Sequence, residues 1–189
     1  MSRRLFVALL PPASVRDDLT RFLEPRWEAE TPWRWTRPET WHITLAFLPA
    51  VSDARIDPLI GSLAEVRTGA VPLALDGGLA FPDALRARVL ALRVGPDAER
   101  TTRLAGTVRR ACNRAGVEVD GTRLRAHLTL ARTSRPHPAG SWIDLLDTFR
   151  SEPWVGTEVV LVESHLGQGP GGTPLYEIVE TFGLAAPSR

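Results

Sequence analysis

One pentapeptide carrying acid–base chemistry occurs twice in the chain. His42-Ile43-Thr44-Leu45-Ala46 recurs about half a chain length later as His127-Leu128-Thr129-Leu130-Ala131. Four of the five positions are identical, and the fifth exchanges isoleucine for leucine. On a β-strand, side chains alternate between faces, so His42 and Thr44 point one way while Ile43 and Leu45 enter a core. His127 and Thr129 repeat the arrangement over Leu128 and Leu130. If an approximate two-fold axis relates the two strands, both His-Thr pairs meet across a cleft.

Such a pairing suits displacement at a phosphodiester. In-line attack puts nucleophile and leaving group on opposite sides of phosphorus. One histidine can take a proton from water while the other gives one to the departing oxygen, because the unperturbed imidazole pKa lies near 6.5. Threonine hydroxyls can donate to the non-bridging oxygens, and arginine can neutralise the remaining charge. His-x-Thr does not supply metal-ligand spacing, and no metal or other cofactor is expected.

These motifs need strands to hold them. His42 to Leu48 reads as a strand stopped by Pro49, and Leu124 to Ala131 as its counterpart. Leu5 to Leu10, Leu73 to Leu75, Val89 to Val94, Val159 to Leu166 and Leu175 to Phe182 are further strand candidates. Gly77, Gly78 and Pro82 mark a loop between Leu75 and Val89. Helical spacing recurs in Val15, Leu19, Phe22 and Leu23, with Ser14 as expected N-cap, and in Ile56 to Leu63, ending near Gly69. Asp97 to Ala115 reads as a helix capped by Asp97 and stopped by Gly116, and Trp142 to Phe149 as a shorter one. Strands and helices mix without strict alternation, which favours α+β over a doubly wound parallel sheet.

Composition narrows the chemistry. The 189 residues carry 23 basic and 22 acidic side chains, and every basic one is arginine. Without lysine there is no lysyl-adenylate, no Schiff base and no Gly-Lys-Ser/Thr phosphate loop. A net charge of +1 argues against coating nucleic acid through bulk charge. The single cysteine, Cys112, excludes an intrachain disulfide and reads as a small buried residue. The apolar run after Arg3-Arg4 is short for a signal peptide and ends at Pro11-Pro12, so a buried first strand is expected. No apolar run approaches the ~20 residues that span a bilayer. A cytoplasmic monomer with no membrane partner is the expectation.

At the repeated motif the chain resembles the 2H phosphoesterase superfamily. Within it, the chain resembles the RNA 2′,3′-cyclic phosphodiesterases, also called 2′-5′ RNA ligase-like proteins. The likeness extends over the opening Arg4 to Pro12, the first motif region Arg34 to Leu48, the second motif Arg125 to Arg132, and Val162 to Gly167 with Tyr176-Glu177. It implies a LigT-like bilobal α+β fold: two pseudo-symmetric antiparallel sheets flanking a central cleft, with helices outside. Residues 1–189 then form one bilobal domain from duplicated halves, roughly 1–95 and 96–189, whose lobes can exchange strands. The implied activity is metal-independent opening of an RNA or nucleotide 2′,3′-cyclic phosphate to a 2′-phosphomonoester. By resemblance His42 is the acid protonating O3′ and His127 the base, roles the near-symmetric sequence leaves open. Thr44 and Thr129 hold the phosphate, Arg132 is the phosphate-binding arginine after the second motif, and Phe47 stacks on the terminal base. Strict alternation directs Phe47 and Arg132, each five residues after its histidine, away from the cleft. Their roles therefore require each strand to bend or end first.

Other residues receive plainer readings. Trp27, Trp33, Trp35 and Trp41 read as core packing or cover for the cleft edge, with base stacking as the alternative. His137 is expected in a surface loop and His165 in a structural strand position. Gly167 to Gly172 lack the strand–glycine–helix context of a phosphate loop. Two other functions stay open: a non-catalytic binder of RNA ends, or a related 2H enzyme acting on a small cyclic nucleotide or a 2′-5′ linkage.

Overall fold

The computed structural model describes residues 2–121 and 125–185. Among these residues, nine strands and four α-helices make an α+β fold. The strands are β1 (Ser2–Leu9), β2 (Arg34–Trp35), β3 (Ile43–Ser52), β4 (Val71–Phe81), β5 (Ala87–Pro96), β6 (His127–His137), β7 (Trp154–Gly156), β8 (Glu158–His165) and β9 (Leu175–Gly183). The helices are α1 (Ala13–Trp27), α2 (Ile56–Ala64), α3 (Ala98–Arg114) and α4 (Gly140–Leu146). None of the helices among the described residues is long and apolar enough to cross a membrane.

The strands follow the order β7-β4-β5-β6-β3-β1-β8-β9, with β2 added to β6, and neighbouring strands run antiparallel. Two four-stranded sheets, β7-β4-β5-β6 and β3-β1-β8-β9, join through a single register pair, Ile43 with Leu128. The continuous apolar run in β1 follows from burial on both faces. Leu5, Val7 and Leu9 enter the main core, to which α1 to α4 contribute Leu19, Leu59, Val108 and Leu146. Phe6 and Ala8 point the other way, into a small cluster with Val160 and Val162. No helix residue belongs to that second cluster, and Phe47 and Tyr176 pack against it. Helices therefore cover one face and leave the other to a cleft.

Several boundaries differ from those expected. β3 continues through Pro49, because Arg3 pairs with Val51 and Leu5 with Leu48, leaving Pro49 in a register shift. A missing N–H costs no ladder bond there. Gly77 and Gly78 lie inside β4. Gly77 has φ 71° at a shift between the Asp76 and Gly78 pairings, a bulge that favours glycine. The chain reverses later, between Phe81 and Ala87. β6 begins at His127 and runs past Pro136, so His137 ends a strand and pairs with Ala87. Leu124 lies outside the described residues. Helix α1 starts at Ala13 after Pro12, with no side-chain cap, in place of the Ser14 cap. α2 stops at Ala64 and α4 spans Gly140–Leu146. α3 matches its reading closely: the Asp97 side chain accepts from the Arg100 N–H at 2.8 Å, and Gly116 follows with φ 71°.

Candidate active site

Equivalent bulges in β3 and β6 resolve the alternation problem. Val7 and Ala8 of β1 pair with Ala46 and Thr44, so Leu45 is an extra residue in β3. Leu90 and Ala91 of β5 pair with Ala131 and Thr129, so Leu130 is extra in β6. At each point two consecutive residues are buried, Leu45-Ala46 and Leu130-Ala131. A bulge of this kind moves every later side chain to the opposite face. Phe47 and Arg132 therefore return to the cleft side. The repeated Leu-Ala after each His-x-Thr was the sequence signal for this.

One cleft of about 330 Å³ is lined by His42, Thr44, Phe47, His127, Thr129 and Arg132. This is the size range of small-ligand pockets. The structure thus brings together all six residues singled out from the sequence. The hydroxyls of Thr44 and Thr129 are not engaged by hydrogen bonds among the described residues, so both are available to a ligand. Arg4, Phe6, Ser164 and Tyr176 also line the cleft. They lie in the opening and closing segments, where only position relative to the first histidine's strand could have singled them out. His165 instead faces Glu177, with Nε2 3.3 Å from its carboxylate.

The two histidines are tethered identically. His42 Nδ1 lies 2.7 Å from the Thr40 carbonyl oxygen, and His127 Nδ1 lies 2.6 Å from that of Arg125. A carbonyl only accepts, so Nδ1 carries the proton and Nε2 is the nitrogen left for chemistry. The segment before His42 is itself anchored to the second motif. Trp41 Nε1–H donates to Thr36 Oγ1 at 3.0 Å, and that hydroxyl donates toward the main-chain oxygens of Thr129 and Leu130 at 3.0 and 2.9 Å. Trp33 and Trp41 are buried in the core, and Trp27 and Trp35 pack against it.

Aromatic rings hold each imidazole. Phe6 stacks on His42 at 4.5 Å, and Tyr176 meets the same ring edge-on at 5.4 Å. Phe81 packs on His127 at 4.7 Å. The Arg4 guanidinium lies 4.4 Å over the Phe47 ring, a cation–π contact that fixes both side chains at one end of the cleft.

Among the described residues the lining includes two arginines and no carboxylate, so the cleft concentrates positive charge in a nearly neutral chain. Burial lowers both histidine pKa values, and the Arg132 charge lowers them further. Arg125 adds to the effect on His127. Burial raises the Tyr176 pKa, so its hydroxyl stays a donor at neutral pH.

Known proteins resemble this chain in sequence and in fold. The family model described as LigT like Phosphoesterase matches residues 9–91. A protein of Archaeoglobus fulgidus named RNA 2′,3′-cyclic phosphodiesterase is 30% identical over 156 residues, 82% of this chain and 86% of that one. An Aquifex aeolicus protein of the same name is 27% identical over 187 residues, covering 96% and 97% of the two chains. Among solved structures, E. coli LigT complexed with 3′-AMP superposes with TM-score 0.78 at 23% identity, over 97% of this chain and 99% of that one. A Thermus thermophilus protein gives 0.78 at 24% identity, over 98% and 100%. These last two establish likeness of fold.

Proposed function

The chain belongs to the LigT-like phosphoesterase family of the 2H superfamily, and on that premise we propose that it opens RNA 2′,3′-cyclic phosphates to 2′-phosphomonoesters by metal-independent two-histidine catalysis. The observation that carries the proposal is the paired tether. Two imidazoles with the same fixed tautomer present Nε2 to one carboxylate-free cleft.

The cyclic phosphate binds between the two His-Thr pairs. Thr44 and Thr129 donate to its non-bridging oxygens, and Arg132 neutralises its charge through a forked contact. His127 Nε2 accepts a proton from water as the water oxygen bonds to phosphorus. The P–O3′ bond breaks, and the protonated His42 Nε2 gives its proton to O3′. The 2′ ester bond stays intact. Assigning the acid to His42 and the base to His127 follows the family resemblance, since burial, Arg132 and one further charge lower both imidazoles alike. Tyr176 and Phe6 fix the plane of the acid, His42.

The test is product analysis with excess EDTA present. A 2′,3′-cyclic nucleotide or RNA end should yield the 2′-phosphate. His42→Ala and His127→Ala should each cost on the order of 10²–10⁴ in rate. Full activity in either variant would sink the mechanism. Tight binding of a cyclic-phosphate end without turnover would instead make the protein an RNA-end binder.

A further inference from the structure

Thr36 directly follows β2, and its hydroxyl joins the two halves of the cleft. It accepts from Trp41 Nε1–H at 3.0 Å and donates toward the main-chain oxygens of Thr129 and Leu130 at 3.0 and 2.9 Å. Building on the activity proposed above, we infer that Thr36 is a positioning residue for it. Its hydroxyl fixes the acid, His42, relative to Thr129 and Arg132, the groups that hold the phosphate.

The bulge in β6 is the first argument. Successive carbonyls along a regular strand point to opposite edges. Thr129 and Leu130 are consecutive, yet both of their oxygens reach the Thr36 hydroxyl. Leu130 is the extra residue of the bulge, where the ladder is interrupted, and this allows it. The Thr36 main-chain N–H also donates to the Leu130 carbonyl, at 2.8 Å. Thr36 thus holds the bulge through two donors, and that bulge turns Arg132 to the cleft side.

The path of the chain is the second argument. Residues 36–42 leave β6 at the bulge and return to it at the Ile43–Leu128 pair. Between these points the Thr40 N–H donates to the Arg37 carbonyl and the Trp41 N–H to that of Pro38, making a tight turn. The Thr40 carbonyl is the one that tethers His42 Nδ1. Trp41 lies between those two residues, is buried, and is held to Thr36 through its ring. The tether of the imidazole therefore rests on a loop braced by Thr36. Thr36, Thr40, His42, Thr129 and Arg132 all border one small hollow of about 30 Å³.

Residue type is the third. This position needs a group that accepts and donates at once. A hydroxyl does both, whereas a valine of the same shape does neither. Without the hydroxyl, the Trp41 ring N–H and the Thr129 carbonyl lose this partner in a half-buried place, where an unmade hydrogen bond is costly. The hydroxyl is already engaged by protein groups, so its removal should disturb alignment more than substrate binding.

The experiment measures kcat and KM for a 2′,3′-cyclic nucleotide in wild type, Thr36→Val and Thr36→Ser, with urea denaturation to show that each is folded. Thr36→Val should lower kcat by about tenfold to a hundredfold and change KM by less than about threefold. Thr36→Ser keeps the hydroxyl and should recover kcat to within about threefold of wild type. Wild-type kcat in Thr36→Val, or a loss that serine does not recover, overturns the inference and leaves the activity standing. A second readout needs no turnover. In proton–nitrogen correlation spectra, Thr36→Val should shift the His42 imidazole signals together with the Leu130 to Arg132 amides, and Thr36→Ser should restore them. Those shifts in a protein that opens no cyclic phosphate would remove the activity and retain the link. His42 signals that stay in place in Thr36→Val would remove the link, with or without turnover.

Discussion

Ile43 and Leu128 face each other across the seam between the two sheets, and each directly follows a histidine. The antiparallel register of that pair sets His42 level with Thr129 and Thr44 level with His127. Each histidine is thus placed beside the threonine of the other motif. The seam is short, and both residues are 0% exposed. The separation of the two imidazoles depends on how these two side chains and their strands pack.

Ile43→Ala and Leu128→Ala should each destabilise the protein by about 2–5 kcal/mol, because neither site can collapse without moving a strand that carries a histidine. The two residues touch the same seam, so the double variant should depart from additivity. Urea denaturation gives the stability loss. At a temperature where both single variants stay folded, kcat should fall more than binding weakens, since the seam aligns the acid with the base. Variants that lose stability and retain wild-type kcat would show that the seam does not set the catalytic geometry.

Arg132 bears on both histidines, and this gives the pH profile a definite shape. The reactive form of the pair carries one proton, on His42 under the proposed roles. Both pKa values are lowered in the free protein by burial and by Arg132. The bell for kcat/KM should therefore centre below about pH 6.5, the ordinary imidazole pKa. Bound phosphate dianion or cyclic phosphate opposes the lowering, so the alkaline limb of kcat should lie at higher pH than that of kcat/KM. Arg132→Ala should cost about 10²-fold or more and move both limbs of kcat/KM to higher pH. Arg132→Lys keeps the charge but not the fork, so it should leave the limbs nearer their wild-type positions with poor recovery of rate. An Arg132→Ala profile that drops without shifting would contradict the electrostatic coupling.

Much of the candidate site was legible in the sequence because the chemistry lies in a repeated five-residue unit. Strand alternation placed His42 with Thr44 and His127 with Thr129 on the cleft side. It failed at Phe47 and Arg132 because a bulge is a matter of two strands' register, and one strand's pattern carries only a trace of it. The pair Leu45-Ala46 was that trace. The fold class followed from the mixture of periodicities and from the resemblance. Strand ends were harder. Pro49 and Gly77 read as stops, yet both fall at register shifts where a ladder tolerates them. Arg4, Phe6 and Tyr176 reach the cleft only through the β3-β1-β8-β9 order, a long-range pairing that no local pattern encodes.

The lowered histidine pKa values also make stability depend on pH. Above about pH 6.5 both imidazoles are neutral in the folded and the unfolded chain, and their contribution is fully present. As pH falls below that value the unfolded chain takes up protons that folded His42 and His127 resist, so stability declines until the folded-state pKa values are passed. The double variant His42→Ala/His127→Ala should show a flatter dependence between about pH 6.5 and the lower folded-state values. Denaturant midpoints at half-unit steps measure this. Inorganic phosphate should act in the opposite sense. It binds the folded cleft best when the histidines are charged, so its stabilising effect should grow as pH falls through the same window. A wild-type midpoint that stays level from pH 7.5 to pH 5, with the variant equally level, would mean that the two rings are solvated in the folded protein and that their enclosure by Phe6, Tyr176 and Phe81 does not restrain protonation.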